Sequence, residues 1–245
     1  MNAMARRSVA VNLIAVGLLL ALAACAPRTR FSAGLDFATF QRSPTAFGGV
    51  TTRVRGRDVG LDNANAINAA MERAFMTKRH DLHFVPASVV SERIGVDLHT
   101  RLLDRYRDRA GIDTSTYRML AQAMGADARY LALARIESVT VSYDRTTADP
   151  DYNLKTDNDN VIKSTQRNVW ITFSLFDLEA RREIWSETKA ASAIENVTFP
   201  AQTGSSGWAL IKAIFTSEPD YPPPRSAFDA LDEGFTYFAM RIPRR

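Results

Sequence analysis

Few residues in this chain have the type and spacing to do chemistry. Its 245 residues hold one cysteine, Cys25, and three histidines. Cys25 follows an unbroken apolar run, and a thiol at that junction can be an attachment point for lipid. His80 and His83 stand three apart in "KRHDLHF", and His99 follows Asp97 by two. A turn leading into a strand does not set residues i and i+3 on one side as a helix does, so surface or capping imidazoles are expected and no metal site. The acidic run Asp149 to Asn160, "DPDYNLKTDNDN", lacks the ordered Asp series, turn glycine and closing Glu of a calcium loop, and reads as a solvated loop. "QTGSSGW", Gln202 to Trp208, offers serines, but no histidine follows His99 to serve them. The sequence has no Gly-x-Ser-x-Gly elbow and no phosphate-cradling glycine loop. A chain without catalytic residues or cofactor is expected, while a hydrolase assembled from residues distant in sequence stays open.

Upstream of Cys25, the segment has a basic head at Arg6 and Arg7, an apolar middle from Val9 to Leu22, and small residues at its end. That is the layout of an export signal. A membrane-spanning helix needs about 20 apolar residues, whereas Ser8 to Ala24 supplies 17 and includes Asn12. Length favours a cleaved signal over an anchor. The quartet Leu22-Ala23-Ala24-Cys25 resembles the bacterial lipobox, in which the thiol takes a diacylglycerol, the chain is cut before the cysteine and the freed amine is acylated. Each buried methylene contributes about 0.8 kcal/mol, and a single acyl chain holds only marginally, so several chains such as palmitate on Cys25 make a durable anchor. Retention in the inner membrane by lipoproteins of that kind goes with Asp after the cysteine, and here Ala26 stands there. The expected address is the periplasmic face of an outer membrane. The Arg pair lacks the apolar residues that follow in a twin-arginine signal, so export unfolded is expected.

Removing residues 1–24 takes two of the 31 basic residues and leaves 29 against 27 acidic ones. The remainder is nearly neutral, with charges interspersed as in "RLLDRYRDRAG", so no basic stripe for nucleic acid is present. With Cys25 lipidated no thiol is left for a disulfide, and stability must come from a packed core, which 46% hydrophobic residues can supply.

The elements that would carry that core follow from periodicity. Residues 25–49 are expected to form a lipid-proximal tether, docking in part through Phe31, Leu35, Phe37 and Phe40, with a short strand possible at Thr51 to Arg55. "DNANAINAAMERAFMTK" has a polar cap and apolar residues Ile67, Ala70, Met71, Ala74 and Phe75 at helical spacing. "DLHFVPASVV" reads as a strand running into a loop at Pro86. Two further helices follow, "GVDLHTRLLDRYRDRAG" stopped by Gly111 and "DTSTYRMLAQAMG" stopped by Gly125. "ARYLALARIESVTVSYD" is β-rich, with Leu131, Leu133, Val139, Val141 and Tyr143 on one parity. "NVWITFSLFDL" sets Val169, Ile171, Phe173 and Leu175 against the opposite parity, and "REIWSET" pairs back across a turn. The polar insertion 144–167 exceeds a usual hairpin loop and is expected to be a long loop, with two readings carried: one that reaches a partner and a merely tolerated insertion. A helix near Trp208 to Phe215 and a last one in "SAFDALDEGFTYFAMRI" complete the chain, the latter buried through Phe228, Leu231, Phe235 and Phe238.

The order of these elements, with Gly125-Ala126-Asp127 ending a helix before a strand and Asp177 through Trp185 forming a strand end, a turn and a Trp strand, resembles a family of periplasmic lipoproteins. These are of the curli-secretion-lipoprotein and penicillin-binding-protein-activator type, whose domain also forms the amino-terminal part of the Tol system's propeller protein. The resemblance covers roughly Asn63 to Ala190. It implies an α/β (α+β) fold that is anticodon-binding-like: a mixed sheet with a long antiparallel meander packed by helices, as a single domain over 50–245. The fold serves several envelope tasks, so two functions are carried. One is a non-enzymatic accessory or scaffold for secretion, surface-appendage or cell-wall assembly, binding envelope proteins and with homo-oligomers possible. The other is an oligomeric channel subunit or a ligand-binding or hydrolytic module, with Trp170, Trp185 and Trp208 lining a groove. The insertion lacks the alternating apolar strands of a membrane-spanning hairpin, so perforation of the membrane is not expected.

Cys25→Ser should abolish lipid attachment and leave uncleaved precursor or soluble periplasmic material. Metabolic labelling with an alkyne fatty acid checks this, and labelling that survives the substitution contradicts it.

Overall fold

A computed structural model describes residues 30–31, 37–54, 61, 63–148, 160–200 and 219–242. The signal segment, Cys25, the acidic run up to Asp159 and the helix expected near Trp208 to Phe215 lie outside the described residues. The elements are β1 (Arg30–Phe31), α1 (Phe37–Arg42), β2 (Thr45–Thr52), α2 (Ala64–Lys78), β3 (Phe84–Val85), α3 (Ala87–Ile94), α4 (Val96–Arg109), α5 (Thr114–Met124), a 3-10 turn (Gly125–Asp127), β4 (Tyr130–Ala148), β5 (Asn160–Asp177), β6 (Arg182–Pro200) and α6 (Ala227–Arg241).

Six strands form one mixed sheet in the order β1-β6-β5-β4-β2-β3. β2 runs parallel to β3 and β4, and the β4-β5-β6 meander and the β1-β6 pair are antiparallel. Helices cover both faces, as an α/β fold requires of its parallel strands.

Local chemistry sets the helix ends. Asn63 Oδ1 accepts from Ala66 N at 3.0 Å, Asp113 Oδ1 from Thr116 N at 2.8 Å and Ser226 Oγ from Phe228 N at 3.1 Å, so three helices begin on a side-chain cap. α5 ends at Gly125 with φ 52°, a conformation glycine adopts without strain.

One face of the sheet packs α2 and α6 around an aromatic cluster. Phe173 lies at its centre, with ring centroids 5.2 Å from Phe75, 5.2 Å from Trp185 and 5.3 Å from Phe238. α6 approaches closely because Gly234 has no side chain: a Cβ there would stand 2.5 Å from Ile171 Cδ1 and 3.2 Å from Ala191 Cβ. The other face packs α3, α4 and α5 through Leu102, Tyr106, Leu120 and Met124 on Leu131, Leu133 and Phe176.

Four sequence expectations are corrected. Residues 45–49 of the expected tether are the buried start of β2, a strand paired along its length with β4 that begins well before the Thr51 to Arg55 segment. Its sheet neighbours and the helices on both faces, rather than amphipathic alternation, hold it there. Residues 87–94 are helix α3 and not loop, because Pro86 opens the helix and Glu72 Oε1 accepts from Ala87 N at 2.8 Å. The insertion 144–167 is mostly strand: Asp144 pairs with Ser164 and the ladder runs to Ala148 opposite Asn160. Its polar residues reflect a wet sheet surface. Finally, Leu131 and Leu133 do not share a face with Val139, Val141 and Tyr143, since a β-bulge between Ile136 and Ser138 inverts the parity of β4.

Phe173→Ala should lower stability by about 3–5 kcal/mol, since it empties the centre of the aromatic cluster. Gly234→Ala should cost about 1–3 kcal/mol by overpacking. Denaturant unfolding of both checks the packing, and a neutral Gly234→Ala would contradict the close approach of α6.

Candidate functional site

The sequence-predicted residues do not converge. His80 and His83 are exposed near the α2-β3 turn, whereas His99 lies on α4 with Nε2 2.7 Å from the Gly48 carbonyl oxygen. Among the described residues, no group of three or more His, Cys, Asp or Glu side chains is placed to hold a metal ion. Trp185 is buried in the aromatic cluster while Trp170 is 41% exposed on the opposite face, so these two do not line one groove. Trp208 and the serines of Gln202 to Trp208 lie outside the described residues.

Two places on the sheet differ from a fully covered α/β layer. The first is the outer edge of β2. β3 pairs only with Thr45 and Ala46, and from Phe47 onward no described strand runs along that edge. A bulge falls between Phe47 and Gly49, where Gly49 takes φ 116°, a value L side chains rarely adopt. Side chains replace the missing strand: Asn68 Oδ1 accepts from Val50 N at 2.8 Å, and His99 contacts the Gly48 carbonyl. The result is a groove of about 770 Å³ between α2, α3 and α4 whose floor is a strand edge already satisfied by an amide and an imidazole. The carboxylate of Glu72 at its wall is engaged by the start of α3.

The second place begins at the β4 bulge. Arg135 is buried there and its Nη1 donates to the carbonyls of Tyr106 and Arg107, each at 3.1 Å, which satisfies the last turn of α4. Its guanidinium also pairs with Glu137 at 2.6–2.7 Å, and Thr172 Oγ1 donates to the same carboxylate at 2.6 Å. Thr172, on the parity opposite Ile171 and Phe173, is buried beneath this network. Burial raises the phenols of Tyr106 and Tyr117 well above their ordinary range, so both stay neutral within the packed layer. Arg135 and Glu137 interrupt the apolar pattern of the sequence at this point, which was the signal for the bulge.

Beyond the bulge the meander continues without α4. On the aromatic-cluster side it is covered by the segment leading into α6: Lys163 Nζ donates to Pro219 O at 2.7 Å, the Tyr143 and Tyr221 rings meet at 5.2 Å, and Arg225 Nε pairs with Glu195 at 2.6 Å. On the other side the distal sheet is open and carries hydroxyl and amide side chains. β6 forms the border of the ribbon. β1 pairs only with Trp185 and Ser186, so on the side away from β5 residues 187–200 have no partner strand among the described residues. Ser192 N points outward and donates to Glu233 at 2.9 Å, and alternate residues of the strand share that direction.

No protein-family profile and no curated protein matches the chain. Similar solved structures include a PelC dodecamer from Paraburkholderia phytofirmans carrying L103M, at 14% identity over 75% of this chain and 88% of that one, with a TM-score of 0.32. They also include lipoprotein GNA1162 from Neisseria meningitidis, at 12% identity over 71% and 95% with a TM-score of 0.37. The LpoB C-terminal domain from Salmonella enterica gives 15% identity over 60% and 81% with a TM-score of 0.34.

Arg135→Met should destabilise the fold by about 3 kcal/mol, because it leaves the terminal carbonyls of α4 unpaired and leaves Glu137 only Thr172 and the half-exposed Arg53. Adding Glu137→Gln should recover part of that loss. Thermal and denaturant melts of the single and double variants measure the coupling, and simple additivity would show that the pair does not join α4 to the sheet.

Proposed function

We propose that the chain is a lipid-anchored envelope lipoprotein, held to the periplasmic face of the outer membrane through Cys25, and acts as a non-enzymatic scaffold. Its partner is another envelope protein that offers an extended strand to β6. The observation that carries this reading is the long border of β6, residues 187–200, left without a strand among the described residues. An exposed edge is a template for backbone pairing, and main-chain hydrogen bonds supply affinity in strand addition. Lysine and glutamate at Lys189 and Glu195 interrupt the edge, which limits indiscriminate pairing, and a docking strand would displace Glu233 from Ser192 N to pair along the whole ladder. Lipid attachment would hold this edge at the membrane surface and raise the effective concentration of a membrane-bound partner.

Ile194→Pro removes an outward N–H, because residue 194 shares the direction of Ser192, and leaves the β5 ladder intact. Crosslinking in intact cells followed by affinity capture should retain a stoichiometric partner with the wild-type chain and lose it with Ile194→Pro at equal abundance and melting temperature. Complexes that persist with the proline overturn the edge-docking reading.

A further inference from the structure

The open side of the distal meander carries hydroxyl and amide side chains around Trp170, its one large aromatic among the described residues, with the carboxylate of Asp144 farther along β4 opposite Ser164. Trp170 is 41% exposed. Its cross-strand neighbours are Ser138 on β4 and Ala190 on β6, two small residues that leave both flanks of the indole accessible. Two positions along β5, about 6.5–7 Å away on the same face, lies Asn168. Asn168 Oδ1 accepts from Gln166 Nε2 at 2.8 Å and from Ser192 Oγ at 2.7 Å, and Gln166 Nε2 also donates to Ser192 at 3.0 Å. The three side chains hold one another in place, and within this trio the amide N–H groups of Asn168 and the carbonyl of Gln166 remain unused.

We propose that Trp170 and the Gln166-Asn168-Ser192 trio form a binding platform for a neutral saccharide. A sugar ring is amphipathic: its C–H face can cover the indole, and its hydroxyls can exchange hydrogen bonds with amides and a serine hydroxyl. No charge on these four residues has to be desolvated. The strand spacing sets one ring on Trp170 and the next unit of a glycan on the amide trio. A polypeptide partner would favour a more continuous apolar core, but the other large exposed apolar residue of this face, Ile194, stands opposite Gln166 on β6 and does not adjoin Trp170. The platform is a face of the sheet, separate from the outward backbone of the β6 edge, so it stands or falls independently of strand docking.

The test is isothermal titration of the full chain, purified in a detergent without a sugar headgroup, with a tetramer of N-acetylglucosamine and with cellotetraose. Saturable binding of at least one glycan is expected. Trp170→Ala should weaken it at least about tenfold, a loss of about 1.4 kcal/mol, and Trp170→Phe should restore part of it. Ala190→Arg, which sets a long charged side chain beside the ring, should give the same loss and serves as the second variant if Trp170→Ala does not fold. A wild-type chain that binds neither glycan overturns the assignment, as does a folded Trp170→Ala chain that binds as tightly as wild type.

Discussion

The structure depends on a mismatch of lengths. Strands β4, β5 and β6 have 19, 18 and 19 residues, about 60 Å of extended chain, whereas α2 and α6 with 15 residues each span about 22 Å. No helix here can cover such a ribbon from end to end. Each half of the meander therefore solves burial differently. The proximal half is buried on both sides, and its residues from Tyr130 to Ile136 are all shielded from solvent. The distal half keeps one side against the approach to α6 and leaves the other to water, with polar side chains to match.

The bulge at Glu137 marks the change. By inserting one residue it moves the apolar parity of β4 from even to odd numbers, so that Val139 continues the layer begun by Ala134 and Ile136. Arg135 and Glu137 fasten the end of α4 at the same point, which puts the boundary of the helical layer and the boundary of the buried strand at one position. Packing on the opposite side depends equally on small residues. Gly234 lets α6 settle against Ile171 and Ala191, and the aromatic cluster around Phe173 closes beneath it.

The same geometry accounts for where binding surface remains. Edges that cannot be covered are either sealed or left open. β2 is sealed by Asn68 and His99, whose side chains take the hydrogen-bonding roles of an absent strand. Along β6, Glu233 takes the outward N–H of Ser192, and from residue 187 onward no strand among the described residues pairs on that side. The one histidine that the fold draws inward thus serves the backbone, and His80 and His83 stay at the surface.

Much was legible in the sequence because it rests on local rules. The spacing of Ile67, Ala70, Met71, Ala74 and Phe75 fixed α2, caps and glycines bounded α5, and the alternation from Val169 to Leu175 identified the side of β5 that faces the aromatic cluster. Tertiary contacts decided the rest. β2 carries paired glycines and no amphipathic alternation, so only its neighbours make it a strand. α3 starts where Glu72, fifteen residues earlier, meets the Ala87 amide. The outer halves of β4 and β5 read as loop because one of their sides is solvated and polar, and pairing between residues as far apart as Asn160 and Pro200 is not visible in local pattern. Sequence determines what each short segment favours by itself. The tertiary structure determines which of those segments find a partner surface, since burial and ladder hydrogen bonds form only between residues that the fold brings together.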